Sequence, residues 1–341
     1  MGDRSISRRR FFTGAAQGAA LAAGGILANR AFASGVPGPV GQGSVVQDRE
    51  NLGVREKQMV IEDQRLETPA HCSQGGAQRL SVKKLQAWEN LGYGMFIHFG
   101  MGTYFGTEWW KGDPPASTYN PDKLNVDQWI ETARDAGMKY AVLTAKHASG
   151  FCLWPTRYTD YNVTNSGNKT DVVKAFILAC ERRGVRPCLY YGSRDNHNGP
   201  PRGCKMPAPR GGDQGTYTTS SYQDFMAAQI NELMTEYGPL MECWIDRPAL
   251  LGQGYRTYIY NHIAGLQPDS VILLNHGWPS DILSYERALP PASGLMKWEE
   301  IGDKCYYMPA EVNIPIGKHW FYVEGDNPQS DQELLNLYQQ T

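Results

Sequence analysis

Apolar residues along this chain switch between two spacings, and the switch repeats. Val126, Trp129, Ile130 and Ala133 recur at helical spacing, the stripe stops at Gly137, and residues 138–144 follow as a nearly unbroken apolar run. Val172, Val173, Phe176, Ile177 and Cys180 form the next stripe, Gly184 ends it, and residues 185–191 again read as a strand. A third helix is predicted over 222–236, with Phe225, Met226, Ile230 and Leu233 on one face; Gly238 closes it ahead of residues 240–245. A helical stretch over 255–266 then leads into an apolar strand at 271–274. Residues three and four apart share one face of a helix, whereas a short apolar run bounded by turn residues reads as a buried strand. Glycine just past the last apolar position is a common helix stop. Helix, glycine, buried strand, repeated, argues for a parallel sheet covered by helices.

What ends each strand is more telling than the strands themselves. Gly94-Met-Phe-Ile-His98, Leu143-Thr-Ala-Lys-His147 and Cys243-Trp-Ile-Asp246 each close an apolar run on a chemically capable residue. In a (β/α)8 barrel all strands end at one mouth, where the loops carry the chemistry. A doubly wound open sheet would want a glycine-rich phosphate loop after its first strand, and none is present. The expected fold is therefore α/β, a (β/α)8-like TIM barrel. At 341 residues the chain fits one barrel of about 250 residues plus an N-terminal extension.

The extension has its own pattern. Ser7-Arg8-Arg9-Arg10-Phe11-Phe12 has the twin-arginine form, a mild apolar run spans 14–28, and Ala31-Phe32-Ala33 offers a cleavage site. Residues 1–33 are thus expected to be a signal peptide for export to the periplasm or beyond. The run is short and weakly apolar for an anchor, so no membrane association is expected after its removal. Residues 34–80, rich in Gly, Gln, Ser and charge, read as an N-terminal arm or linker, leaving 81–341 as the catalytic domain. Net charge is −2 with no basic segment beyond the N-terminus, which argues against a nucleic-acid partner. Of seven cysteines, Cys152, Cys180, Cys188 and Cys243 lie in apolar runs and read as small buried hydrophobes.

Asp246 stands at a strand end with Trp244 two positions earlier on the same side. A carboxylate beside an indole suits attack on a sugar whose apolar face rests on the ring. An aspartate capping the next turn is the plain structural alternative. Glycoside hydrolysis needs a second carboxyl group; Glu286, Glu299, Glu300 and Glu311 are the downstream candidates, and spacing does not choose among them. His98 and His147 with Asp246 could form a zinc set, but no close pair such as HxH or HExxH supports it. No metal and no organic cofactor is implied. Hydrogen bonding to sugar hydroxyls fits both rings, and Glu108 with Trp109 and Trp110 adds an acid and two large rings in one loop.

Together, Gly94-Met-Phe-Ile-His-Phe-Gly100, Glu108-Trp-Trp110, Ala136-Gly-Met-Lys-Tyr-Ala-Val-Leu-Thr-Ala-Lys-His147, Ser149-Gly-Phe-Cys-Leu-Trp154 and Tyr237-Gly-Pro-Leu240 with Trp244-Ile-Asp246 resemble glycoside hydrolase family 29, the retaining alpha-L-fucosidases. The resemblance implies a carbohydrate substrate and exo-hydrolysis of terminal alpha-L-fucosides by double displacement. It implies Asp246 as nucleophile, Glu286 as acid/base with Glu311 as second choice, and Trp244 as a pocket aromatic. His98, Glu108, Trp109, His147 and one of Tyr190 or Tyr191 match residues that hold the sugar. Four positions depart from the pattern. Ala148 and Ser149 replace a histidine and an aspartate, Gly277 stands for an arginine, and Arg247 follows the nucleophile. The departures keep two rivals in view: the same chemistry on an L-galactoside or sulfated fucoside, and a carbohydrate-binding protein without hydrolysis. The chain stops at Thr341 where the family continues into another strand, so the barrel is expected to be incomplete at its C-terminal end.

Overall fold

The computed structural model describes residues 75–108, 111–199, 219–289 and 298–340. The expected signal segment 1–33, residues 34–74 of the arm, and Trp109 lie outside the described residues. The elements run α1 (Val82–Glu89), β1 (Gly94–Ile97), α2 (Val126–Asp135), β2 (Tyr140–Lys146), α3 (Val172–Arg183), β3 (Arg186–Gly192), α4 (Ser220–Glu236), β4 (Glu242–Asp246), α5 (Gln253–Leu266) and β5 (Val271–Leu274). After them come β6 (Leu283–Glu286), β7 (Trp298–Ile301), β8 (Lys304–Tyr307), β9 (Ala310–Asn313) and α6 (Asp331–Gln340).

All four predicted helix–strand units form, with ends shifted by at most a few residues. Local chemistry sets their limits. Asn125, Asp171 and Thr219 cap α2, α3 and α4 by accepting from the backbone N–H groups of Gln128, Lys174 and Tyr222. The three glycines read as stops all adopt positive φ, 81° at Gly137, 67° at Gly184 and 77° at Gly238. A side chain would strain that left-handed turn.

β1 to β5 form one parallel sheet in sequence order. Alternation along the strands sorts it into two faces. Ala141, Leu143, Leu189, Tyr191, Cys243, Ile245, Ile272 and Leu274 pack outward against Ile130, Phe176, Ile230 and Ile259 of the helices. Val142, Cys188, Tyr190, Trp244, Val271 and Leu273 face the interior of a (β/α)8-like barrel. Burying one such aliphatic or aromatic side chain contributes roughly 1.5–3 kcal/mol. The cysteines follow expectation: Cys152, Cys180, Cys188 and Cys243 are buried free thiols, while Cys305 is in a disulfide.

Three features lay outside the predicted pattern. First, α1 buries Val82, Leu85 and Trp88 in the interior cluster and so plugs the base of the barrel. Second, residues 75–80 pack against the barrel, as an arm and not a free linker would. The Gln78 side chain exchanges two 2.8 Å hydrogen bonds with the Tyr307 backbone, and Arg79 pairs with buried Asp281. Third, β6 follows β5 with no helix between them and pairs in parallel with β9, past the β7–β8 hairpin. Among the described residues no ladder joins β9 to β1. Side chains tie β9 to the sheet across the interior instead: Tyr140 of β2 and Trp244 of β4 both donate to Glu311 of β9.

Candidate active site

Asp246 is the last residue of β4, in register with Gly192 of β3. Its Oδ2 accepts a 2.7 Å hydrogen bond from the Tyr190 hydroxyl, and its Oδ1 accepts one of 3.0 Å from Asn275 Nδ2. The same amide nitrogen donates to Glu286 Oε2 at 2.7 Å. One asparagine, placed immediately after β5, therefore clamps a carboxyl group on each side. Two oxygens hydrogen-bonded to one nitrogen at 3.0 and 2.7 Å cannot reach the about 6.5–9.5 Å carboxyl spacing of inverting glycosidases, and the arrangement is compatible with the about 5–5.5 Å of retaining ones.

The cavity above this clamp is about 40 Å³ and is lined by Phe96, His98, His147, Tyr190, Trp244, Asp246, Arg247, Glu286, Asn313 and Trp320. Of the sequence candidates, His98, His147, Tyr190, Trp244, Asp246 and Glu286 thus meet in one place. His147 stacks on Tyr190 with centroids 5.7 Å apart, and His98 stacks on Trp320 at 5.1 Å. Burial, with the positive charge of neighbouring arginines, holds both rings below the usual histidine range, His147 at about 4. They are neutral donors and acceptors near pH 7. Among the described residues no group of three His, Cys, Asp or Glu has metal-binding geometry.

Three candidates sit elsewhere. Tyr191, one residue after Tyr190, points to the opposite face by strand alternation and donates to Gln229 on α4. Glu311 lies beneath the floor, 5% exposed, and does not line the cavity. Glu108 Oε1 accepts from the Trp320 backbone N–H at 2.5 Å and from Arg287 at 3.3 Å. It secures the ring that stacks on His98 and does not itself line the cavity.

The departures from the family pattern also have locations. Ala148 and Ser149 turn away into a buried loop, where Asn196 N–H donates to Ala148 O and the Ser149 hydroxyl accepts from Phe151 N–H. A Cβ at Gly277 would lie 2.7 Å from Pro248 Cγ, so a side chain has no room unless that proline moves. Behind the loop, Lys146 and Asp195 form a fully buried 2.9 Å ion pair that ties the end of β2 to the segment after β3.

Asn275 bridges the carboxyl groups, and Asn313 and Trp320 line the cavity, though none was named as a site residue from the sequence. Asn275 carried a signal, since it follows its strand just as His147 follows β2. Backbone strain marks the same places. Among the described residues, Arg247, His276 and Arg287 are the non-glycine residues with positive φ, 55°, 57° and 54°. Each directly follows one member of the Asp246–Asn275–Glu286 set. Such strain persists where the surrounding structure over-determines it, and it gathers at active sites.

A family model for alpha-L-fucosidase matches residues 110–337. The chain is 31% identical over 284 residues to alpha-L-fucosidase 1 of Arabidopsis thaliana, covering 76% of this chain and 52% of that protein. Alpha-L-fucosidase isoenzyme 1 from Paenibacillus thiaminolyticus superposes with a TM-score of 0.62 at 26% identity, over 74% of this chain and 66% of that one. A glycoside hydrolase 29 family member from a rumen bacterium gives a TM-score of 0.61 at 25% identity, over 76% and 50%. The chain spans about half the length of the plant enzyme it matches.

Proposed function

Because this chain belongs to the alpha-L-fucosidase family, we propose that it hydrolyses terminal alpha-L-fucosides with retention of configuration. The observation that carries the reading is the Asn275 clamp, which brings Asp246 and Glu286 together at the spacing double displacement needs. Asp246 attacks the anomeric carbon, forming a glycosyl–enzyme ester as the bond to the leaving oxygen breaks. Glu286 gives its proton to that oxygen. In the second step Glu286 takes a proton from water, whose oxygen displaces Asp246 from the sugar. The Tyr190 hydroxyl and the Asn275 amide orient Asp246 for attack, and Trp244 offers its ring to the apolar face of the sugar. The neutral rings of His98 and His147 are suited to hydrogen-bonding glycone hydroxyls.

Arg247 favours one variant of this reading, since a guanidinium lining a sugar pocket suits a glycone with an anionic substituent. The paired carboxyl groups favour hydrolysis over binding alone. Export through the twin-arginine route is part of the proposal, supported by Arg8, Arg9 and the Ala31-Phe32-Ala33 site. The Cys305 disulfide fits an oxidising compartment.

The test is hydrolysis of 4-nitrophenyl alpha-L-fucoside with the product's anomer read by NMR. Release of the alpha anomer first supports retention, and release of the beta anomer first overturns it. Faster turnover of a sulfated fucoside or an L-galactoside than of the plain fucoside would move the reading to that glycone.

A further inference from the structure

Below the pocket the barrel interior holds two more carboxyl groups, Glu242 at the start of β4 and Glu311 on β9. Both are buried, and among the described residues no cation pairs with either. Their surroundings differ. Glu311 Oε1 accepts from Trp244 Nε1 at 3.0 Å and Asn313 Nδ2 at 3.3 Å, and its Oε2 accepts from the Tyr140 hydroxyl at 3.2 Å. Glu242 Oε2 accepts from Trp88 Nε1 at 2.9 Å, while its Oε1 has no partner. Three donors favour an anion at Glu311. At Glu242, one donor and that charge nearby favour the protonated form. Burial pushes both groups up, and at Glu242 the charge of Glu311 adds to it.

The partners of Glu311 lead straight to the chemistry. Trp244 and Asn313 both line the pocket. Register places Ser284 opposite Glu311 and Glu286 opposite Asn313, so Glu311 lies one inward position below the acid/base. The Trp244 ring stacks on Tyr190 at 5.3 Å and 25°, and Tyr190 holds Asp246. We propose that Glu311 is a positioning residue of the active site. From beneath the floor it fixes the indole of Trp244 and the amide of Asn313, and through the Trp244–Tyr190 stack it fixes the orientation of Asp246. The kinetic part of this inference rests on the fucosidase reading; the positional part does not.

The experiment compares the full chain with Glu311→Gln and Glu311→Leu. It reads kcat and KM on 4-nitrophenyl alpha-L-fucoside, with and without azide, and the Trp244 indole N–H resonance in ¹⁵N-tryptophan-labelled protein, assigned with Trp244→Phe. Glu311→Leu is expected to lose about 100-fold, mainly in kcat, because a small misplacement of the reacting groups carries that cost. Azide should not restore it, and the indole resonance should move upfield. Glu311→Gln keeps an acceptor for the indole and should retain activity within about tenfold of wild type, with a smaller resonance shift. Activity of Glu311→Leu within twofold of wild type overturns the proposal, as does azide rescue, which would make Glu311 the acid/base. Should Glu311→Leu not fold, an unmoved Trp244 resonance in Glu311→Gln overturns it equally well. If the wild type cleaves no fucoside, the fucosidase reading fails, and the indole resonance still decides the positional one.

Discussion

The two ends of one barrel interior hold the same functional group under opposite terms. At the mouth, Asp246 and Glu286 share the Asn275 amide and line a cavity. One layer down, Glu242 and Glu311 are buried among Trp88, Tyr140, Cys188 and Trp244. The upper pair can meet a substrate and exchange protons with water; the lower pair can do neither. On the proposed reading, position along the strand separates the roles: carboxyl groups that react above, and in Glu311 one that holds a ring and an amide in place below.

The sharpest way to break this comparison is to remove the upper pair. Asp246→Ala is expected to lose about 10⁴-fold or more in kcat while remaining folded. Mass spectrometry after a 2-fluoro fucosyl fluoride should find the label on Asp246 in wild type and nowhere in the variant. Glu286→Ala should lose about 10²–10⁴-fold and recover with azide, giving a fucosyl azide. Label on another residue, or no rescue, would detach that carboxyl group from its role. Next in size is Tyr190→Phe. It removes a hydrogen bond to a charged group worth about 1.5–3 kcal/mol, so kcat should drop roughly 10- to 150-fold with KM little changed.

Within the lower pair, Glu242 should answer in stability, not in rate. A buried glutamate whose native pKa is raised holds its proton while the unfolded chain gives it up. That group's stability contribution is complete below the unfolded value of 4.5 and is lost as pH rises toward the raised native value. Glu242→Gln removes the loss. Its denaturation midpoint, relative to wild type, should therefore increase steadily as pH climbs from about 4.5; a constant difference would refute a protonated Glu242. The mouth shows the opposite sign. With His147 lowered from 6.5 to about 4, the unfolded chain binds the proton first, so stability is complete above pH 6.5 and falls between 6.5 and about 4. His147→Gln should flatten that fall, a small effect visible in urea titrations across the window.

The alternation of helical stripes, glycine stops and apolar strands was written in the chain itself, because periodicity and left-handed turns depend on near neighbours. So was the placement of His98, His147 and Asp246 at strand ends, since a strand's last residue is known once the strand is. Tyr190 and Tyr191 were equivalent as letters; only the direction of the pleat sent one to Asp246 and the other to Gln229. Glu286 and Glu311 were equivalent by spacing, and only the family resemblance ranked them. The parallel pairing of β6 with β9, a contact between segments that share no local pattern, is what set one at the mouth and the other a layer beneath. The closed space at Gly277, the plug made by α1 and the Asn275 clamp arise in the same way. Each joins residues far apart in the chain, and a sequence read locally holds no distance between them.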